Sequence, residues 1–218
     1  MESGWSRRRF LRRMAAGAAA LTLPPGWWSA QAAGGEVLPM RRFGRAEVQV
    51  SALCVGGAHV SSHMAEREAA RFLERAVEVG CRFFDTAESY SGGESERLFG
   101  RYLPRGRRKE LFLMTKTRAM DRRTAERHLA ESLERMRTDY LDLWQMHDIT
   151  SAADVDRRIE NGVLEFMLEA KAAGTVRYLG FTGHTRPSAH RHMLERLRRL
   201  GVELDATQMP INIVDPHY

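Results

Sequence analysis

Four residues suited to acid–base work each end or closely follow a short apolar run. Asp85 and Tyr90 lie five positions apart in "FDTAESY" (84–90), Lys116 ends "ELFLMTK" (110–116) and His147 ends "DYLDLWQMH" (139–147). Thr182 and His184 follow a further run, and Gln208 another. Together the four make a coherent proton-donating set. A lysine ammonium beside a phenol favours the phenolate, an aspartate holds the lysine, and a histidine polarises or orients a carbonyl oxygen. Singly each residue has an ordinary explanation: Asp85 as a turn cap, Lys116 as a solvated strand end, His147 as a satisfied core histidine. Their joint occurrence calls for elements that bring them to one place.

Those elements are legible from residue 50 onward. Short apolar runs at 51–57, 82–87, 110–116, 139–147, 176–183 and 204–210 read as strands. Amphipathic stretches at 65–80, 94–103, 122–137, 158–174 and 187–201 read as helices between them, preceded by a hairpin over 38–50. Strict alternation predicts an α/β fold with a parallel sheet and helical crossovers. "CVGGAHVSSH" lacks the G-x-G-x-x-G spacing of a dinucleotide-binding turn, so a (β/α)8 barrel is favoured over an open doubly wound sheet. In a barrel all the named residues stand at the C-terminal ends of strands, the end where such enzymes work.

At this point the chain resembles the aldo-keto reductases. The resemblance runs from about Arg41 to Tyr218 through "VSALCVGGAH", "FFDTAESYSGGESERLFGRYL", "FLMTK", "ESLERMRTDYLDLWQMH", "GTVRYLGFTGH" and "DATQMPIN". It implies NADPH-dependent reduction of an aldehyde or ketone to an alcohol, with NADH as the alternative cofactor. By the same resemblance Tyr90 is the general acid, Lys116 and Asp85 tune it, and His147 orients the substrate. Thr182, Gly183 and Gln208 fall at positions that bind the nicotinamide carboxamide, although Gly183 stands where many members carry an asparagine. The chain contains about the first six of eight β/α units and stops at Tyr218. It is therefore expected to be a fragment of a longer enzyme; the alternative is a truncated, inactive or purely nucleotide-binding relative.

Residues 1–32 carry a different signal. "SRRRFLRR" (6–13), a mildly apolar stretch and then "SAQA" have the three regions of an export peptide and resemble the twin-arginine type. The expectation is recognition by the twin-arginine export machinery, cleavage after Ala32 and a periplasmic enzyme whose barrel occupies 33–218. That leader supplies +4 of the net charge of +6, so the body shows no basic footprint for nucleic acid, and no apolar run is long enough for a membrane span. Cys54 and Cys81 match no metal, haem or iron–sulfur spacing and read as two buried thiols. A metal-dependent hydrolase built from His59, His63, Asp85, His147 and His184 is a rival reading. His59 and His63 have helical ligand spacing, but no helix is predicted before residue 65, and the rival leaves Tyr90 and Lys116 unused; no metal is expected.

Overall fold

The computed structural model describes residues 38–211, so the leader predicted over 1–32 lies outside the described residues, as do residues 212–218. An antiparallel hairpin, β1 (Met40–Arg42) and β2 (Gln49–Ser51), comes first. It is followed by β3 (Cys54–Gly56), α1 (Gly57–His63), α2 (Glu66–Glu78), β4 (Phe83–Asp85), a 3-10 turn (Tyr90–Gly93) and α3 (Glu94–Tyr102). The chain continues through β5 (Phe112–Thr117), α4 (Arg122–Met136), β6 (Leu141–Met146), α5 (Ala152–Glu160), α6 (Val163–Ala172), β7 (Val176–Thr182), α7 (Pro187–Leu200) and β8 (Ala206–Gln208). Strands β3 to β8 pair in chain order, all parallel, as a six-stranded half-barrel with helices along its outer side.

Side-chain alternation along each strand separates two apolar layers. Phe84, Leu113, Trp144, Leu179 and Phe181 pack outward on helix residues such as Leu73, Phe99, Leu129, Met167 and Met193. Each fully buried Leu or Phe contributes about 2 kcal/mol of hydrophobic stabilisation. Phe112, Met114 and Leu143 point inward and meet Val50, Phe43, Phe83 and Tyr178, so the hairpin plugs the lower end of the half-barrel. The upper end, where the strands finish, stays polar. β5 and β6 are buried along all six residues, as expected for central parallel strands covered on both faces.

The structure corrects the sequence reading in three places. The helix expected over 158–174 is two helices, α5 and α6, broken at Gly162, whose φ of +79° lies where only glycine is at ease. A helix, α1, occupies 57–63 where a loop was expected; "GAHVSSH" buries only Gly57 and Val60 and has no apolar stripe to announce it. The buried strand read over 51–57 is the short β3, with Cys54 exposed and Ser51 belonging to β2. β3 pairs only with β4 among the described residues. Cys81 is buried as expected, and both thiols are free.

Candidate active site

Register sets up the site. The pairings Gly56↔Asp85, Lys116↔Gln145 and Thr182↔Gln208 align the ends of adjacent strands, so their inward side chains share one polar rim. Lys116 is 2% exposed yet spends all three ammonium protons. It donates to Asp85 Oδ1, to the Thr86 carbonyl at 2.8 Å and to the Tyr90 hydroxyl at 3.3 Å. A buried cation needs such pairing to remain charged. The other Asp85 oxygen accepts from Gln208 Nε2 at 3.0 Å, which closes a contact between residues 123 positions apart.

Tyr90 is presented by a tight turn. Its N–H donates to the Ala87 carbonyl at 3.1 Å, and the next three residues, Ser91, Gly92 and Gly93, all have left-handed φ values of +49°, +62° and +88°. A non-glycine residue in that region costs about 1–3 kcal/mol and persists where surrounding structure holds it, commonly at functional sites. The phenol ring meets His147 edge-on, with centroids 5.6 Å apart.

His147 is buried, and that burial, followed by the charge of Lys116, pushes it down to about 3. The imidazole is therefore neutral at ordinary pH, one nitrogen carrying a proton and the other a lone pair. Its Nδ1 lies 3.4 Å from Ser89 Oγ, and its main-chain oxygen accepts from the buried guanidinium of Arg158 at 2.9 Å. Asp148, next in the chain, has φ +56° and donates its N–H to Thr182 Oγ1 at 2.9 Å, leaving the Thr182 hydroxyl proton for another acceptor.

All seven sequence-predicted residues stand at this end of the half-barrel, and Asp85, Tyr90, Lys116 and His147 form one contiguous cluster. Gly183 contributes backbone only: its N–H donates to the Gln208 carbonyl at 3.2 Å. A Cβ there would lie 2.6 Å from the His190 ring and 2.8 Å from the Ile149 carbonyl oxygen. Sequence reasoning missed the Thr86 carbonyl, Ser89 and Arg158. Ser89 sits inside the same short motif and was within reach, whereas nothing in the spacing of Arg158 points to His147. Of the rival metal set, Asp85 is engaged by Lys116 and Gln208, while His147 and His184 have ring centroids 6.3 Å apart. No group of three or more His, Cys, Asp or Glu among the described residues is arranged to hold a metal.

The rim suits a carboxamide. Thr182 has a hydroxyl proton to give and Gln208 an amide oxygen to accept with, one donor and one acceptor that an amide group can use. Two buried oxygens at or just below the rim, Gln145 Oε1 and Asp148 Oδ1, have no hydrogen-bond partner among the described residues, so the site has polar capacity to spare.

Comparison with known proteins gives the family and the fold. The model of the "Aldo/keto reductase family" matches residues 52–217. Among curated proteins the chain is 31% identical over 159 residues to the uncharacterized oxidoreductase YrpG of Bacillus subtilis, covering 63% of this chain and 47% of that one. It is 30% identical to the L-galactose dehydrogenase of Arabidopsis thaliana, over 67% of this chain and 49% of that one. To the aldo-keto reductase yakc (NADP(+)) of Schizosaccharomyces pombe it is 29% identical, over 66% and 45%. The chain thus spans about half the length of the curated relatives it matches. Among solved structures, the aldo-keto reductase AKR11C1 of Bacillus halodurans superposes with a TM-score of 0.68 at 28% identity, covering 80% of this chain and 58% of that one. The thermostable aldo-keto reductase Tm1743 superposes with 0.69 at 26%, covering 82% and 64%.

Proposed function

The chain belongs to the aldo/keto reductase family, and from that premise we propose that it reduces an aldehyde or ketone to the alcohol with NADPH, Tyr90 serving as the general acid. NADPH is preferred over NADH because the family resemblance points to it and the fission-yeast relative bears NADP(+) in its name. A reduced nicotinamide, when bound, supplies the hydride that the carbonyl carbon receives. Thr182 and Gln208 would hold its carboxamide, and Gly183 would act through its backbone bond to Gln208.

The protein's own residues handle the proton. The substrate oxygen sits against the Tyr90 hydroxyl and the protonated nitrogen of neutral His147, which aligns it without competing to donate a full charge. As negative charge develops on that oxygen, the phenolic proton passes to it. The Lys116 ammonium, 3.3 Å from the phenol oxygen, stabilises the resulting phenolate. Asp85, Thr86 and Gln208 keep the ammonium in place, so no reorganisation is needed at the moment of transfer. The observation that carries the reading is this single lysine bridging a carboxylate and a phenol at the open end of the strands.

We also propose that the basic start, residues 6–13, directs the folded, cofactor-loaded protein through twin-arginine export to the periplasm. One assay addresses both proposals: NADPH oxidation and alcohol formation over a panel of aldehydes, ketones and quinones, run on purified protein and on the periplasmic fraction of its host. Turnover of at least one carbonyl is expected in both. Tight NADPH binding with no turnover of any panel member would replace the enzyme with a nucleotide-binding protein, and activity confined to the cytoplasm would remove the export proposal.

A further inference from the structure

The helix that sequence reading did not anticipate carries a feature that reduction does not use. In α1, His59 and His63 are four residues apart and both are exposed. Residues i and i+4 lie one turn apart on the same helix face. Here the two rings stand nearly parallel, at 25°, with centroids 5.3 Å apart. Ser62 Oγ lies 2.7 Å from His63 Nδ1, which fixes that ring and leaves Nε2 directed away. A hydrogen bond to one imidazole nitrogen is how metal-binding histidines are usually held while the other ligates.

We propose that His59 and His63 form a two-histidine chelate for a late first-row divalent metal ion such as Ni²⁺, Cu²⁺ or Zn²⁺. Imidazole suits these ions, and two exposed histidines one helical turn apart can turn about their side-chain bonds to bring one nitrogen each to about 2.1 Å from a shared ion. With two protein ligands, water completes the coordination, so the site is open and exchangeable, unlike four-ligand structural zinc sites. Ser62 is a positioning residue that orients His63. The site is separate from the Asp85–Tyr90–Lys116 cluster but adjoins its wall: Ser61 Oγ is 2.9 Å from Ser91 Oγ, next to Tyr90. Nothing in this proposal depends on the chain being a reductase.

The test is calorimetric titration of the intact, untagged protein with Ni²⁺, chosen because it does not oxidise thiols as Cu²⁺ does. The proposal expects one saturable, readily exchanging site per chain, with His59→Gln and His63→Gln each weakening it by roughly tenfold or more. Ser62→Ala should weaken it about tenfold. Both histidines are exposed, so unchanged circular dichroism is expected in the variants and would attribute the loss to ligation. If wild type shows no such site, or if both histidine variants bind Ni²⁺ as wild type does, the proposal is overturned.

Discussion

Two carboxylates, Asp142 buried and Asp85 half-buried, stand at opposite ends of the same sheet, built from similar parts. At the lower end Asp142, 1% exposed, accepts from Arg108 at 2.8 Å and Leu113 N at 2.9 Å on one oxygen, and from Arg177 at 2.7 Å on the other. Arg108 in turn donates to the Leu111 and Tyr140 carbonyls and to Thr138. Arg177 reaches in from the surface, and every bond in the network holds strands and loop together. At the upper end Asp85 also pairs with a buried cation, but Lys116 passes one of its bonds to a phenol that faces the opening. A buried ion pair is thus not by itself a sign of chemistry; one whose last partner faces solvent and carries a movable proton is.

The contrast can be broken from either side. The largest effect is expected for Lys116→Met, which removes the cation beside Tyr90: carbonyl reduction should fall about 10²- to 10⁴-fold. Its melting temperature should move less than that of the lower-end variant, because Asp85 keeps Gln208 and can take up water. Steady-state kinetics beside a melting curve checks both halves, and a variant that melts early while its folded fraction turns over normally would reverse the assignment. Asp142→Ala should do the opposite, costing about 3 kcal/mol of unfolding free energy by leaving Arg108 uncompensated, with kcat of the folded enzyme retained. Urea unfolding beside kcat would expose the error if activity were lost without loss of stability.

A pH-dependent effect sharpens the comparison. His147 is held at about 3 against an ordinary value of 6.5, so between those values the unfolded chain binds a proton that the folded one refuses. Its contribution to stability is therefore present above about pH 6.5 and lost as pH falls toward 3. Urea midpoints measured across that range should decline in wild type and decline less in His147→Gln. Equal slopes in the two proteins would show that His147 is not the group responsible.

Much of this was legible in the amino-acid sequence. Apolar runs of central strands such as 112–117 and 141–146 are unmistakable because both faces are buried, and strand ends then place Asp85, Lys116 and His147 on one rim without further information. α1 was missed because a short helix burying two residues leaves no periodic stripe, and the break at Gly162 because its flanking apolar residues continue a plausible single helix. Contacts that depend on side-chain direction were beyond reach. Examples are the Gln208 amide on Asp85, Arg158 behind His147, and the buried Glu96–Arg135 pair at 2.6 Å, which joins α3 to α4. None leaves a spacing signature, since each joins residues whose separation is set by the fold alone.

The central claim is that Tyr90 gives up the proton on a site that binds cofactor independently of it. Tyr90→Phe removes one oxygen and keeps the ring that packs against His147. NADPH affinity by fluorescence titration and carbonyl reduction by product analysis, measured side by side, should show binding within about twofold of wild type and turnover reduced about 10²- to 10⁴-fold. Turnover equal to wild type would take Tyr90 out of the mechanism and the proposed chemistry with it.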